Sequence, residues 1–158
     1  MKPAPCRDVS ILVPCQLVVV PTDAWTGQIF LAFEPIDVFP RTDRAALERV
    51  VRARLHDPIP VIPHPVRSQW PKPVYLRPSG FRSDKAFGEN LYSFSITVRD
   101  GRTTASECYP EGIGRWVSRP DLDGASEDQL IEAAWTFIQS LPPPKVITKP
   151  PRPRKPKA

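Results

Sequence analysis

The first third of the chain carries two apolar runs separated by a polar turn, which predicts an antiparallel hairpin. Residues 9–20 are rich in Val, Ile and Leu, and Pro14 interrupts them. A second apolar run at 28–33 follows the polar segment 21–26. We expect two strands here. Because proline cannot donate to a sheet, Pro14 marks either an edge strand or a bulge that splits the first strand in two.

The apolar positions then change to helical spacing, which predicts a first helix. Its apolar stripe consists of Leu47, Val50, Val51 and Leu55. Thr42 or Asp43 can cap the first turn, since a short polar side chain accepts hydrogen bonds from the free N–H groups at a helix start. Pro58 ends the helix near His56.

The clearest local signal is Asp100-Gly101, which lies between the β-type runs 91–98 and 103–109. Asp-Gly accommodates the positive φ angles of a two-residue type I′ turn, so it also sets the register of the hairpin. One face then pairs Val98–Thr103, Ile96–Ala105, Phe94–Glu107 and Tyr92–Tyr109, and the other pairs Thr97–Thr104, Ser95–Ser106 and Ser93–Cys108. The first face is apolar apart from Glu107. The second is a Ser/Thr ladder that suits solvent or a polar partner.

Between the first helix and this hairpin, residues 57–80 contain seven prolines. A residue before proline avoids the helical region, so this segment is predicted to be extended. Apolar side chains recur between the prolines. We therefore interpret residues 57–80 as an ordered strap packed on the domain, with a short strand at 74–77, rather than as a free linker.

A capping box at 126–129 predicts a second helix, which ends at Leu141. The order is then hairpin, helix, strap, hairpin, helix. It predicts a single α+β domain over residues 1–141. We expect a two-layer sandwich in which an antiparallel sheet of four to five strands carries both helices on one face.

Positive charge is concentrated after this domain. The chain has 22 Lys+Arg and 17 Asp+Glu, and segment 142–158 holds six of the bases and no acid, which leaves 16 bases against 17 acids in residues 1–141. We predict a disordered, basic, proline-rich tail on a near-neutral domain. The cations proposed to bind there are Lys145, Lys149, Arg152, Arg154, Lys155 and Lys157.

The sequence contains few groups suited to catalysis. It has two histidines, three cysteines without a C-x-x-C pair, no G-x-S-x-G and no phosphate-binding loop. The spacing of histidine and cysteine matches no standard zinc pattern. We therefore predict reduced thiols, no cofactor and no metal site.

These observations favour a non-enzymatic macromolecule-binding protein, either of an inhibitor or immunity type or an accessory subunit, with the tail adding electrostatic contacts. Trp70, Arg115 and Trp116 are the candidate binding residues outside the tail, because Trp and Arg dominate interface energetics. The alternatives are a small hydrolase with His64 or His56 as base, and a structural subunit of a larger nucleoprotein assembly.

The partner expected first is a protein. Nonspecific nucleic-acid contact through the tail is a further expectation. No apolar run approaches the length of a membrane span, and the N-terminal residues lack the apolar region of a secretory signal. We therefore expect no membrane partner and a cytoplasmic location.

Overall fold

The computed structural model describes residues 3–112 and 114–148, which form one six-stranded antiparallel sheet and four α-helices. The strands are β1 Arg7–Val13, β2 Leu17–Trp25, β3 Phe30–Pro40, β4 Tyr92–Arg99, β5 Arg102–Tyr109 and β6 Arg115–Ser118. The helices are α1 Arg44–His56, α2 Leu76–Ser79, α3 Asp84–Glu89 and α4 Glu127–Ser140. The strand order is β3-β2-β1-β4-β5-β6. The α+β class is confirmed, whereas the predicted strand number of four to five is wrong.

Both edges of the sheet differ from the prediction: β3 is longer than expected, and β6 is an additional strand. β3 continues through residues 34–40, beyond the predicted apolar run 28–33. Its prolines, Pro35 and Pro40, are tolerated because β3 is an edge strand, where a missing N–H interrupts no second ladder. At the other edge, residues 115–118 form β6 against β5. Only two of those four residues are apolar, so β6 has no sequence pattern of its own.

The β4–β5 hairpin has the predicted register. The backbone pairs include Val98–Thr103, Phe94–Glu107 and Ser93–Cys108. At the turn, Asp100 has φ 51° and Gly101 has φ 74°. The prediction is confirmed because a two-residue turn allows only one register between the two strands that it connects.

α1 and α4 pack on the same face of the sheet and share the main hydrophobic core. Val50 and Phe137 from the two helices join Ile11 and Phe94 from the central strands in that core. Asp43 caps α1 by accepting the N–H of Ala46 at 3.0 Å. The capping box at the start of α4 is also present. Of the two cap residues that the sequence offered for α1, the structure uses Asp43.

A second, smaller core lies on the opposite face of the sheet, so the two-layer prediction is incomplete. It contains Cys15, Leu17, Phe81 and Phe87. Leu17 alternates with the main-core residue Val18 along β2, which places Leu17 on the other face. The short strand predicted at 74–77 is wrong. Gly80 at φ 84° caps α2 instead and turns the chain back over the sheet.

The segment after α4 runs back across the domain as far as Thr148, whose residue surface is 9% exposed. The predicted tail begins at Pro142, so its first seven residues lie within the described structure. Lys145 is exposed there. Five predicted binding residues, Lys149, Arg152, Arg154, Lys155 and Lys157, lie outside the described residues. Within residues 3–112 and 114–148, no helix is long and apolar enough to cross a membrane.

Candidate binding surfaces

The free edge of the sheet at β6 carries a prominent exposed tryptophan. Trp116 pairs with Cys108 of β5, and 63% of its surface is exposed. Just beyond the strand, the Arg119 N–H donates to the Ala105 carbonyl oxygen at 2.9 Å. Because antiparallel ladders alternate, the backbone of Val117 then faces β5. The backbone N–H and C=O groups of Trp116 and Ser118 therefore face outward.

An open groove of about 470 Å³ lies beside Trp116, between α3 and the β5–β6 pair. Its lining includes Lys85, Glu89, Leu91, Tyr109, Pro110 and Trp116. Charged groups of both signs on α3 thus flank an apolar floor. We call β6 together with this groove the edge surface.

Arg115 is directed away from this groove, because successive side chains of a strand point to opposite faces. Its guanidinium carbon lies 4.5 Å from the centroid of the Tyr109 ring. Its Nε donates to Glu111 Oε2 at 2.9 Å. The predicted binding residues Arg115 and Trp116 are therefore neighbours in sequence that face different sides of the sheet.

The third predicted residue, Trp70, lies in the proline-rich strap and is 50% exposed. Its ring meets the His64 ring edge-on, with 5.8 Å between the centroids. His64 Nδ1 lies 2.8 Å from the Thr26 hydroxyl at the end of β2. The strap is also held to β2 by backbone bonds, since the Ile62 N–H donates to the Trp25 carbonyl oxygen at 2.9 Å. Trp70 is therefore presented on a fixed segment.

The strap from residue 58 onward, together with the three residues that follow it, carries a row of cations. Segment 58–83 contains Arg67, Lys72, Arg77 and Arg82 and no acid. All four side chains are exposed. Across residues 3–112 and 114–148, none of the four forms an ion pair or a side-chain hydrogen bond. By contrast, Arg52 and Arg54 of α1 are paired, with Glu48 and with Asp37. We call Trp70 with these four cations the strap surface.

The structure does not bring the edge surface and the strap surface together. The strap is bonded to β2, and strands β1, β4 and β5 lie between β2 and β6. No contact among the described residues joins Trp70 to Trp116. The predicted binding residues thus belong to two separate surfaces.

The histidines proposed as bases for a hydrolase have structural partners. His56 lies exposed at the end of α1, with its Nε2 2.8 Å from Glu127 Oε2. Among the described residues, His64 contacts a hydroxyl and an indole rather than a carboxylate or thiol. Burial raises the pKa of the Cys108 thiol, which disfavours its nucleophilic thiolate form. The hydrolase alternative stays an untested prediction.

The structure also contains a small polar cavity of about 120 Å³ that the sequence did not predict. It opens where β1 and β2 separate, and its lining includes Asp8, Asp23, Arg7 and Arg54. Burial, and after it the nearby charge of Asp8, raises the pKa of Asp23 to about 7. The Ser10 hydroxyl lies 3.4 Å from Asp23 Oδ2. The sequence placed Asp23 in a turn, whereas a register shift near Val20 lets β2 continue through it.

Within residues 3–112 and 114–148, no group of three or more His, Cys, Asp or Glu side chains is arranged to hold a metal ion. The three cysteines there are free thiols.

Comparison with known proteins relates this chain to others by fold alone. No family model matches it, and no curated protein does. It is similar to the solved structure of Protein of Unknown Function NMB0488 from Neisseria meningitidis, with a TM-score of 0.54 and 14% sequence identity. The match covers 89% of this chain and 98% of that one. At this identity the likeness shows a shared fold.

Proposed function

We propose that this protein is a non-enzymatic binding protein that docks a partner protein through its edge surface. It acts either as an inhibitor or immunity-type protein or as an accessory subunit, in the cytoplasm. The observation that supports this most is Trp116, a largely exposed tryptophan on a strand whose outer backbone groups have no partner among the described residues.

Trp116 has the properties of an interface anchor. A tryptophan brings a large apolar area into an interface, and tryptophan is among the residues that most often dominate binding energy. The open N–H and C=O groups of Trp116 and Ser118 can extend the sheet by pairing with a strand of the partner. The adjoining groove can then receive partner side chains, and its mixed charges form a polar rim.

The test is partner capture from cell extract with immobilised full-length protein at high salt, which suppresses contacts through exposed charge. Trp116→Ala should release the partner. Trp70→Ala is the matched control, because it removes an equally prominent tryptophan from the other surface. A partner that is lost with Trp70→Ala and kept with Trp116→Ala would place docking on the strap surface and contradict the proposal.

A second pair of variants tests strand addition itself. Ser118→Pro removes one outward N–H and leaves the hydrogen bonds to β5 intact, since proline is tolerated where the N–H faces solvent. Ser118→Ala removes the hydroxyl and keeps that N–H. Partner pairing through the β6 backbone predicts weaker capture with Ser118→Pro alone. Equal capture by both variants would show that the partner does not extend the sheet.

A further inference from the structure

We infer that the strap surface binds single-stranded nucleic acid, with Trp70 as the stacking platform and Arg67, Lys72, Arg77 and Arg82 as the phosphate contacts. This inference does not depend on the proposed docking of a protein at the edge surface. It concerns another side of the molecule and a different class of ligand.

The charge of the strap is available to a ligand. Arg54 shows how this fold uses an arginine structurally, since its guanidinium donates to Asp37 and to backbone carbonyl oxygens. The four strap cations have no such partner among the described residues. The next acid along the chain, Asp84, accepts a hydrogen bond from the Tyr75 hydroxyl at 3.0 Å. An anionic ligand would therefore meet exposed guanidinium and ammonium groups without first breaking ion pairs.

Trp70 makes a single-stranded ligand more suitable than a duplex. It lies within this cationic row, three residues after Arg67 and two before Lys72. An exposed aromatic ring stacks on an unpaired base of any sequence, whereas bases inside a duplex already stack on each other. The edge contact with His64 and the surrounding prolines hold Trp70 in place, which lowers the entropy lost on binding.

The described part of the C-terminal segment ends against the last residues of the strap. The Thr148 hydroxyl donates to the Ser79 carbonyl oxygen at 2.8 Å, and Ser79 lies between Arg77 and Arg82 in sequence. The covalent chain therefore leaves the described structure at the strap. The ten residues that follow contain five Lys or Arg and no acid. The binding test must therefore separate their charge from that of the strap.

The test measures fluorescence anisotropy of a labelled oligothymidylate of about 20 nucleotides with the full-length chain, between about 50 and 200 mM salt. Binding should weaken steeply as salt rises. Each phosphate contact to a single strand contributes about 0.7 to the slope of log K against log salt. The double variant Arg67→Gln/Lys72→Gln should therefore lower the magnitude of that slope by about 1.4.

The matched control is Arg49→Gln/Arg102→Gln, which removes the same charge from two exposed arginines on other faces. It should leave the slope nearly unchanged. Trp70→Ala should weaken binding roughly tenfold, whereas Trp70→Phe should retain most of it. A full-length variant with its last five cations changed to Gln removes the charge of the tail beyond Thr148. It should still bind the oligonucleotide at low salt through the strap surface.

Several results would overturn the inference. One is complete loss of binding in the variant whose last five cations are changed to Gln, which would show that the strap surface does not bind the oligonucleotide. Another is an equal effect of the strap and control double variants, which would indicate response to net charge alone. Equal affinity for a duplex of the same length, or for polyglutamate, would exclude a single-stranded nucleic acid as the favoured ligand. Trp116→Ala should not affect any of these measurements. If the strap surface does not bind nucleic acid, the proposed docking of a protein at the edge surface is therefore not contradicted.

Discussion

The Thr148 hydroxyl donates a hydrogen bond to the carbonyl oxygen of Ser79, and 2.8 Å separates the two oxygens. This bond joins residues 69 positions apart and fixes the last described residue against the strap. The Thr148 N–H also donates to Gln16 Oε1 at 3.1 Å. Residues 142–148, the first part of the segment that composition predicts as disordered, thus end in hydrogen bonds to the domain.

Replacing Thr148 with Val should lower the free energy of unfolding by about 1 kcal/mol, because a buried carbonyl loses its hydrogen-bond donor while the side-chain volume is kept. Denaturant titration measures the change. The buried Cys15 thiol, which lies 3.2 Å from Thr148 Oγ1, should also become more reactive toward a thiol reagent. Thr104→Val, at an exposed strand position, is the control. Unchanged stability and thiol protection would show that the bond contributes nothing.

Asp23 should make the protein less stable as pH rises. Its pKa is about 7 in the folded protein against an ordinary value of 3.8, because burial and then Asp8 disfavour the charged form. Between these values the folded state holds a proton that the unfolded state has released. The associated stability is fully present below about pH 4 and is lost as pH rises to about 7, at no more than about 1.4 kcal/mol per pH unit.

Asp23→Asn tests this, since an amide of the same shape has no charge to bury. Urea titrations across this pH range should show the variant matching the parent at low pH and exceeding it at pH 8. The groups facing Asp23 are Asp8, Ser10 and Arg54. Asp8→Asn should move the transition of Asp23 to lower pH. Parallel pH profiles for parent and Asp23→Asn would contradict the prediction.

Arg54 should be among the costliest arginines to replace. Its side chain is 10% exposed and bonds Asp37 Oδ2 at 2.7 Å, along with the carbonyl oxygens of Val20 and Pro35. Arg54→Met keeps the length of the side chain but removes the donor to Asp37 and to the Val20 carbonyl oxygen, while the Pro35 carbonyl oxygen keeps the Thr22 hydroxyl as donor at 2.8 Å. We expect a loss of roughly 2–4 kcal/mol in the free energy of unfolding. Arg49→Met, on the exposed side of the same helix, should change it by less than about 0.5 kcal/mol.

Replacing Gly101 and Gly88 with alanine should change the free energy of unfolding in opposite directions. A Cβ atom at Gly101 or at Gly88 would meet nothing within 4 Å. Gly101 has φ 74°, so alanine there is strained and should destabilise the protein by about 1 kcal/mol. Gly88 lies inside α3, where alanine should stabilise it by about 0.5 kcal/mol or more. Changes of the same sign in thermal or chemical unfolding would refute the conformational explanation.

The sequence by itself determined those features whose cause is local. The register of β4 and β5 follows from Asp100-Gly101, and the start of α4 follows from Ser126 and Gln129, because a turn or a cap acts within a few residues. Trp70 and Trp116 could be singled out by residue type. Their separation on two surfaces could not, since it depends on the strand order.

Only the tertiary structure decided the features that need a partner distant in the chain. β6 forms because β5 offers an open edge, and residues 34–40 extend β3 because β2 lies beside them. The pKa of Asp23 is raised because the fold buries it close to Asp8. Thr148 is held by Gln16 and Ser79, which neither composition nor periodicity relates to it. Hydrophobic burial and hydrogen bonding across long sequence separations carry no local pattern, so these contacts exist only once the chain has folded.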